Sequence, residues 1–136
     1  TLGFAFPTAM GAKVGNPNKP VLALCGDGGF MYAVGDLATA FQYGINLVTV
    51  VFNNGMYGQS NVDQTSRFKG RVIGTELYNP SFMKLAESFG IKGMLVEDLD
   101  DMPGTIEKAV AANQPILVEV NRAATDQLTL PVAQQQ

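Results

Sequence analysis

Two short stretches of the sequence carry residue types that could bind an anion through a cation. Residues 26–29 read GDGG and residues 53–55 read NNG, and each follows an apolar run. Glycines at a turn between a strand and a helix let backbone N–H groups approach an anionic ligand closely. The carboxylate of Asp27 would repel that anion unless a hard cation lay between them, and Mg2+ accepts carboxylate and amide oxygens, such as that of Asn53 or Asn54. The two stretches therefore predict a site for Mg2+ and a diphosphate.

Each stretch also has an explanation that requires no ligand. Asp27 could cap the helix that follows it, and Asn54-Gly55 is a strong signal for a hairpin turn. Two common phosphate loops do not fit, because the chain has no G-x-x-x-x-G-K-[ST] and has Met31 where the dinucleotide fingerprint requires glycine. We favour the Mg2+-diphosphate interpretation because both stretches fall at the ends of predicted strands.

The composition excludes several other classes of function. The chain has 136 residues, of which 46% are hydrophobic, so it suits a single domain with its own core. A net charge of -3 with only nine Lys and Arg argues against a nucleic-acid partner. The absence of histidine excludes imidazole-based triads and the usual zinc sites. No apolar run reaches the ~20 residues that span a bilayer, so we expect no membrane partner and a cytoplasmic location.

The only cysteine and the first residue of the chain carry two further expectations. Cys25 can form no internal disulfide, and its place in an apolar run predicts a small buried side chain rather than a redox centre. The chain begins with Thr1 instead of Met, and we expect it to be a fragment of a longer multidomain enzyme.

The apolar patterns predict alternating helices and strands. Helices are expected within residues 1–15, 32–43, 80–90 and 101–113, strands at 21–24, 45–54, 91–97 and 114–120, a long loop at 55–80, and a frayed end at 134–136. This alternation predicts an α/β fold with a parallel sheet. Ligands bind outside the carboxyl ends of such strands, where both polar stretches lie.

The two stretches together resemble the signature of the thiamine diphosphate-dependent enzymes, Gly-Asp-Gly followed after about two dozen residues by Asn-Asn. Here 24 residues separate Gly28 from Asn53, and the resemblance extends from Thr1 to about Arg122. It implies a three-layer sandwich with a mainly parallel sheet flanked by helices. It also implies that residues 1–136 form one diphosphate- and Mg2+-binding domain.

The resemblance implies roles for residues of both motifs. The side chains of Asp27 and Asn54 and the main-chain oxygen of Met56 would ligate Mg2+. Leu2 matches an apolar side chain that supports the bent cofactor, although a core leucine is the alternative, and Gly29 stands where many relatives carry serine. The residues expected to contact thiamine diphosphate are Leu2, Gly26, Asp27, Gly28, Gly29, Asn54, Met56, Tyr57 and Gly58.

The activity implied is that of a 2-oxo acid decarboxylase or carboligase of the acetolactate synthase-like group. The segments GDGGFMYAVGDLATAFQYGINLVTVVFNNGMYG and NPSFMKLAESFGI carry this closer likeness. The chain has no tryptophan, which leaves benzoylformate decarboxylase-like and other acyl-transferring relatives open. FAD in the full-length enzyme also stays open.

The same resemblance implies a partner domain. The activating glutamate of the family lies on a pyrimidine-binding domain of the same or a neighbouring subunit, so the isolated chain is predicted to be inactive and the enzyme to be a homodimer or homotetramer. Glu97, Glu107 and Glu119 are expected to be surface charges away from the motif loops. The alternatives are a non-catalytic cofactor-binding module and a flavodoxin-like phosphate- or nucleotide-binding domain.

Overall fold

The computed structural model describes residues 1–128, with side chains through Thr125. Its helices and strands, in chain order, are α1 (Ala5–Gly15), β1 (Leu22–Gly26), α2 (Asp27–Met31), α3 (Asp36–Gln42), β2 (Val48–Phe52), α4 (Gly58–Arg67), α5 (Phe82–Ser88), β3 (Lys92–Val96), α6 (Met102–Ala111), β4 (Ile116–Val120) and α7 (Arg122–Leu128). The expected frayed end at 134–136 lies outside the described residues. Within the described part of the chain, no helix is long and apolar enough to cross a membrane.

The four strands are all parallel and lie in the order β1-β2-β4-β3. Helices α1, α2, α3 and α5 contribute buried side chains to one face of this sheet, and α6 and α7 contribute to the other. The predicted three-layer α/β sandwich with a parallel sheet is therefore confirmed. All four strands lie within the predicted segments or within two residues of them.

Strand β2 shows why the sequence specifies this layering. Val51 packs with one apolar cluster, while Val48 and Val50 pack with the cluster on the opposite face. Its first four residues are all buried. An apolar strand of this kind is stable only when helices cover both faces of the sheet.

Three phenylalanines join the helices on the face that carries α1, α2 and α5. The ring centroids of Phe6 and Phe30 are 5.7 Å apart, and those of Phe30 and Phe82 are 5.9 Å apart, both in edge-to-face geometry. Each ring is almost completely buried. Because Phe30 lies in α2 and Phe82 begins α5, these contacts hold the start of α2 close to the start of α5.

The single helix predicted at 32–43 is wrong in its form. The structure has a short α2 that begins at Asp27, then tight turns, then α3. Hydrogen bonds from Ala33 N to Phe30 O and from Asp36 N to Ala33 O close these turns. Of the apolar face predicted from Ala33, Leu37, Ala40 and Phe41, Leu37 and Ala40 are buried, whereas Phe41 is 55% exposed.

The predicted long, partly ordered loop at 55–80 contains a helix, α4, which the sequence pattern did not indicate. This helix has no buried residue, so the apolar periodicity that predicts the other helices is absent. A hydrogen bond of 3.0 Å from Asn61 Nδ2 to Thr75 Oγ1 ties α4 to the returning chain. The helix is therefore held by polar contacts rather than by a hydrophobic face.

Cys25 gives a prediction about stability and pH. Its side chain is buried, and this burial raises the pKa of the thiol from 9.0 to about 11. The unfolded chain therefore ionises the thiol before the folded chain does, and the contribution of Cys25 to the free energy of unfolding, fully present below about pH 9, is lost as the pH rises towards about 11.

The measurement is denaturant unfolding at about pH 8 and about pH 10 for the chain and for Cys25→Ala. Subtracting the variant removes the titration of the other side chains, and we expect the remaining difference in the free energy of unfolding to shrink at the higher pH. A difference that stays the same, or a native thiol alkylated at about pH 8 as fast as the unfolded one, would contradict the burial argument.

Candidate functional site

The two polar stretches meet at the carboxyl ends of β1 and β2. Gly26 at the end of β1 pairs with Phe52 at the end of β2, so Asp27 and Asn53 follow directly from paired positions. Parallel pairing with β1 and β2 side by side in the sheet is what brings together residues that are far apart in the sequence.

Asp27 is the most buried polar residue of this region, with a relative exposure of 1%. Its Oδ2 accepts hydrogen bonds from Gly55 N at 2.8 Å and from Asn79 Nδ2 at 2.6 Å. Within the described part of the chain, Oδ1 has no hydrogen-bond partner. The helix-cap explanation is wrong, because Gly26 occupies the N-cap of α2 and the Asp27 carboxylate instead bonds across to other segments.

The hairpin explanation for Asn54-Gly55 is wrong as well. Gly55 has a φ of 71°, which favours glycine, and it turns the chain away from β2. Met56 then pairs in an antiparallel bridge with Glu76, and Leu77 N donates to Gly55 O at 2.8 Å. The turn therefore starts a long excursion that returns to the site, instead of joining two adjacent strands.

A cavity of about 220 Å3 lies against these segments. Its lining residues are Leu2, Gly26, Asp27, Gly28, Gly29, Met56, Tyr57, Gly58, Gln59 and Ser60. The structure therefore brings together eight of the nine residues expected to contact the cofactor. The ninth, Asn54, does not line the cavity, since its Oδ1 accepts a hydrogen bond from Met56 N at 3.2 Å.

Gly28 occupies a position with no room for a side chain. A Cβ atom there would overlap the ring of Tyr57 and lie 2.9 Å from Leu77 Cδ1. At Gly29 the nearest contact of a Cβ atom would be an ordinary 3.8 Å, to Leu2 Cδ2. Leu2 itself is 57% exposed, which does not fit the alternative of a core leucine.

Tyr57 brings a hydroxyl group to the same cavity. A hydrogen bond with the Tyr32 side chain raises the pKa of Tyr57 above its ordinary value, and desolvation and the charges of Tyr32 and Asp27 act in the same direction. The phenol therefore remains neutral at physiological pH.

Two residues at this site were missed or misjudged from the sequence. The sequence pattern places either Ser81 or Asn79 at the start of α5; Ser81 caps that helix, and Asn79 instead bonds to Asp27. The expectation that Glu119 is a surface charge is wrong, because it is buried in β4 and accepts a hydrogen bond from Asn53 Nδ2 at 2.7 Å. Glu97 and Glu107 are exposed, as expected.

The donor set of the site can be stated chemically. Among the residues that the structure describes, no group of three or more His, Cys, Asp or Glu could hold a metal ion. A cation here would have one carboxylate, from Asp27, and would take its other ligands from amide, main-chain or ligand oxygens. That arrangement suits a hard cation that binds together with a phosphorylated ligand.

Comparison with known proteins identifies relatives over most of the chain. Residues 1–120 match the family model described as "Thiamine pyrophosphate enzyme, C-terminal TPP binding domain", where TPP is thiamine diphosphate. The chain is 36% identical over 121 residues to the probable acetolactate synthase large subunit of Methanocaldococcus jannaschii, which covers 88% of this chain and 20% of that protein. It is 32% identical over 110 residues to the sulfoacetaldehyde acetyltransferase of Castellaniella defragrans, which covers 81% of this chain and 18% of that protein.

A solved structure shows the same fold. The thiamine diphosphate-dependent 4-hydroxybenzoylformate decarboxylase of Rhodococcus jostii RHA1 superimposes with a TM-score of 0.82 at 35% sequence identity, over 88% of this chain and 23% of that one. The chain thus spans about a fifth of the length of the curated relatives it matches. On these findings, this chain belongs to the family of C-terminal TPP-binding domains of thiamine pyrophosphate enzymes.

Proposed function

We propose that this chain binds thiamine diphosphate and Mg2+ as one domain of a 2-oxo acid decarboxylase or carboligase of the acetolactate synthase-like group. The observation that carries the proposal is the buried Asp27 carboxylate at a cavity built from both motifs. Its two hydrogen bonds come from neutral groups, the Gly55 amide and the Asn79 side chain. A buried carboxylate with only neutral partners is stabilised by a cation, and Oδ1 is available to ligate one.

The other proposed cation ligands are the Asn54 side-chain oxygen and the Met56 main-chain oxygen. Asn54 Oδ1 already accepts a hydrogen bond from Met56 N. A carbonyl oxygen has two lone pairs, so this bond leaves one pair for a metal ion. In this proposal Asp27, Asn54 and Met56 would supply three oxygens, Asn54 from outside the cavity lining, and a diphosphate and water would complete the coordination of Mg2+.

Close backbone approach supports the diphosphate half of the proposal. Gly26, Gly28 and Gly29 all line the cavity, and as glycines they place no side chain over the backbone there. Backbone N–H groups in such a turn can contact an anion directly. Leu2, Tyr57 and Gly58 line the same cavity and would contact the rest of the cofactor.

When bound, thiamine diphosphate supplies the electron sink for breaking a C–C bond next to a carbonyl group. The part of this chain is to hold the diphosphate and the cation, and no catalytic residue is proposed on it. The activating glutamate would come from a pyrimidine-binding domain of the same or a neighbouring subunit in a homodimer or homotetramer. The isolated chain would then be inactive, and its cytoplasmic location stays a prediction.

The named relatives support an assignment to cofactor binding rather than to one substrate. Proteins named as an acetolactate synthase, a sulfoacetaldehyde acetyltransferase and a 4-hydroxybenzoylformate decarboxylase all align with this chain. We propose a small 2-oxo acid as the substrate class and leave FAD in the full-length enzyme open. The flavodoxin-like alternative is excluded by the family match. The remaining alternative is a non-catalytic cofactor-binding module, and it predicts that the gene for this chain encodes no pyrimidine-binding domain.

The first prediction tests the charge of Asp27. In Asp27→Asn the amide oxygen can still accept from Gly55 and Asn79, while an NH2 group replaces the oxygen that would ligate the cation. We expect the affinity for thiamine diphosphate in the presence of Mg2+ to fall by at least about tenfold, measured by calorimetry on this chain and on the full-length protein that carries it.

Asp101→Asn is the matched control, because it removes the same charge from an exposed residue at the start of α6. Its affinity should equal that of the unmodified chain. Equal affinities for all three proteins, or binding that does not depend on Mg2+, would overturn the proposed cation site.

The second prediction concerns the space at Gly28. Gly28→Ala forces Tyr57 and Leu77 to move, so we expect a loss of about 1–3 kcal/mol in the free energy of unfolding together with weaker cofactor binding. Gly35→Ala is the control, since a Cβ atom there meets nothing within 4 Å. Thermal unfolding of both variants gives the comparison, and a Gly28→Ala chain as stable as the control would refute the close approach.

A further inference from the structure

The amide of Asn79 connects the two motifs of the site. Its Nδ2 donates to Asp27 Oδ2 at 2.6 Å and to Asn53 Oδ1 at 2.9 Å. Asp27 comes from the first motif and Asn53 from the second, whereas Asn79 precedes α5 and belongs to neither. One side chain therefore bridges the two segments that would hold the cation.

The direction of these hydrogen bonds is determined at both ends. A carboxylate accepts and does not donate, so Glu119 Oε1 requires the Nδ2 group of Asn53, at 2.7 Å. This turns Asn53 Oδ1 towards Asn79, which must then present its own NH2 group. The same NH2 group meets the carboxylate of Asp27. Buried Glu119 thereby orients Asn79 through Asn53.

The backbone of Asn79 is also constrained. Pro80 restricts the preceding residue to extended conformations, and Phe82, which is fully buried, anchors the next turn in the core. The side-chain amide of Asn79 therefore extends from a backbone position that is fixed.

We propose that Asn79 is a positioning residue, which holds Asp27 Oδ2 and so leaves Oδ1 for the cation, with Asn53 and Glu119 fixing the orientation of its amide. This inference rests on the proposed Mg2+ site. Hydrogen-bond partners of metal ligands typically change metal affinity by about 10- to 100-fold when they are removed. We expect a loss of Mg2+ affinity in this range for Asn79 variants.

A purely structural role for Asn79 makes different predictions. If it served only to start α5, Ser81→Ala would reproduce its loss, because Ser81 Oγ caps that helix by accepting from Lys84 N at 3.4 Å. If volume alone mattered, Asn79→Asp would behave like the unmodified chain. If added charge mattered, Asn79→Asp would bind Mg2+ more tightly. The positioning role instead requires Asn79→Asp to bind Mg2+ more weakly, as Asn79→Ala does, because both variants lack the donor.

The experiment measures one quantity on the full-length protein that carries this chain and a second quantity on this chain itself. The first is the Mg2+ concentration that gives half-maximal thiamine diphosphate binding, for Asn79→Ala, Asn79→Asp, Ser81→Ala and Asp27→Asn. Asn46→Asp is a matched control, since it makes the same change at the amino end of β2, where Asn46 Nδ2 contacts Asn113 Oδ1. The second is the amide proton resonance of Gly55 in this chain without ligands, which reports its hydrogen bond to Asp27.

The positioning role is supported if both Asn79 variants raise the required Mg2+ about 10- to 100-fold and shift the Gly55 resonance, while Ser81→Ala and Asn46→Asp change neither. It is overturned if Asn79→Ala leaves the Mg2+ requirement unchanged while Asp27→Asn raises it, and the proposed cation site then stands. If Asp27→Asn also has no effect, the proposed function fails, and this inference fails with it. If the Asn79 variants unfold, the Gly55 resonance is lost together with all others, and Asn53→Ala, which removes the same bridge from its other end, provides the test by the same two criteria.

Discussion

The buried carboxylate of Asp27 is the constraint on which the rest of the site depends. Placing a charged group at 1% exposure costs free energy unless hydrogen bonds or an opposite charge compensate for it. Here a backbone amide from the turn after β2 and a side-chain amide from the segment before α5 converge on one of its oxygens. The three segments that carry Asp27, Gly55 and Asn79 must therefore stay in place together.

The core explains how this placement is maintained. Parallel pairing of β1 with β2 fixes the first two segments, and the edge-to-face contact between Phe30 and Phe82 fixes the third. Helices α2 and α5 could not hold these segments in place by themselves, because α2 has only five residues and α5 only seven. Short helices gain most of their stability from packing, so the aromatic cluster stabilises the polar site as well as the hydrophobic core.

The sequence predicts those parts of the molecule that depend on apolar periodicity and on local motifs. The strands, their parallel arrangement and the convergence of the two motifs follow from the apolar runs that end in GDGG and NNG. Helix α4 could not be predicted in this way, because its residues are polar and it has no buried face. Glu119 was misjudged because a single acidic residue in a strand carries no signal of its partner, and Asn53 lies 66 positions away in the sequence.

Asn79 is a second example of a contact that sequence patterns could not predict. An Asn-Pro pair before a helix is a common local signal for a turn. This local signal was enough to explain Asn79, so nothing in the sequence pointed to Asp27, which is 52 positions away. Only the sheet order and the packing of α5 place the two side chains within hydrogen-bond distance. Long-range polar contacts of this kind depend on the fold, so they can be read only after the fold is known.

The arrangement also links ligand binding to stability. In the described part of the chain, Oδ2 of Asp27 has two donors while Oδ1 has none, and because no buried side-chain oxygen there lacks a hydrogen-bond partner, Oδ1 must reach the surface, where a ligand can bind it. A cation that binds Oδ1 of the folded chain has no equivalent site in the unfolded chain, and it must therefore raise the free energy of unfolding in proportion to the logarithm of its concentration. The burial that makes Asp27 costly without a ligand would also make it a strong ligand for a cation, because the low dielectric of the site would strengthen that attraction.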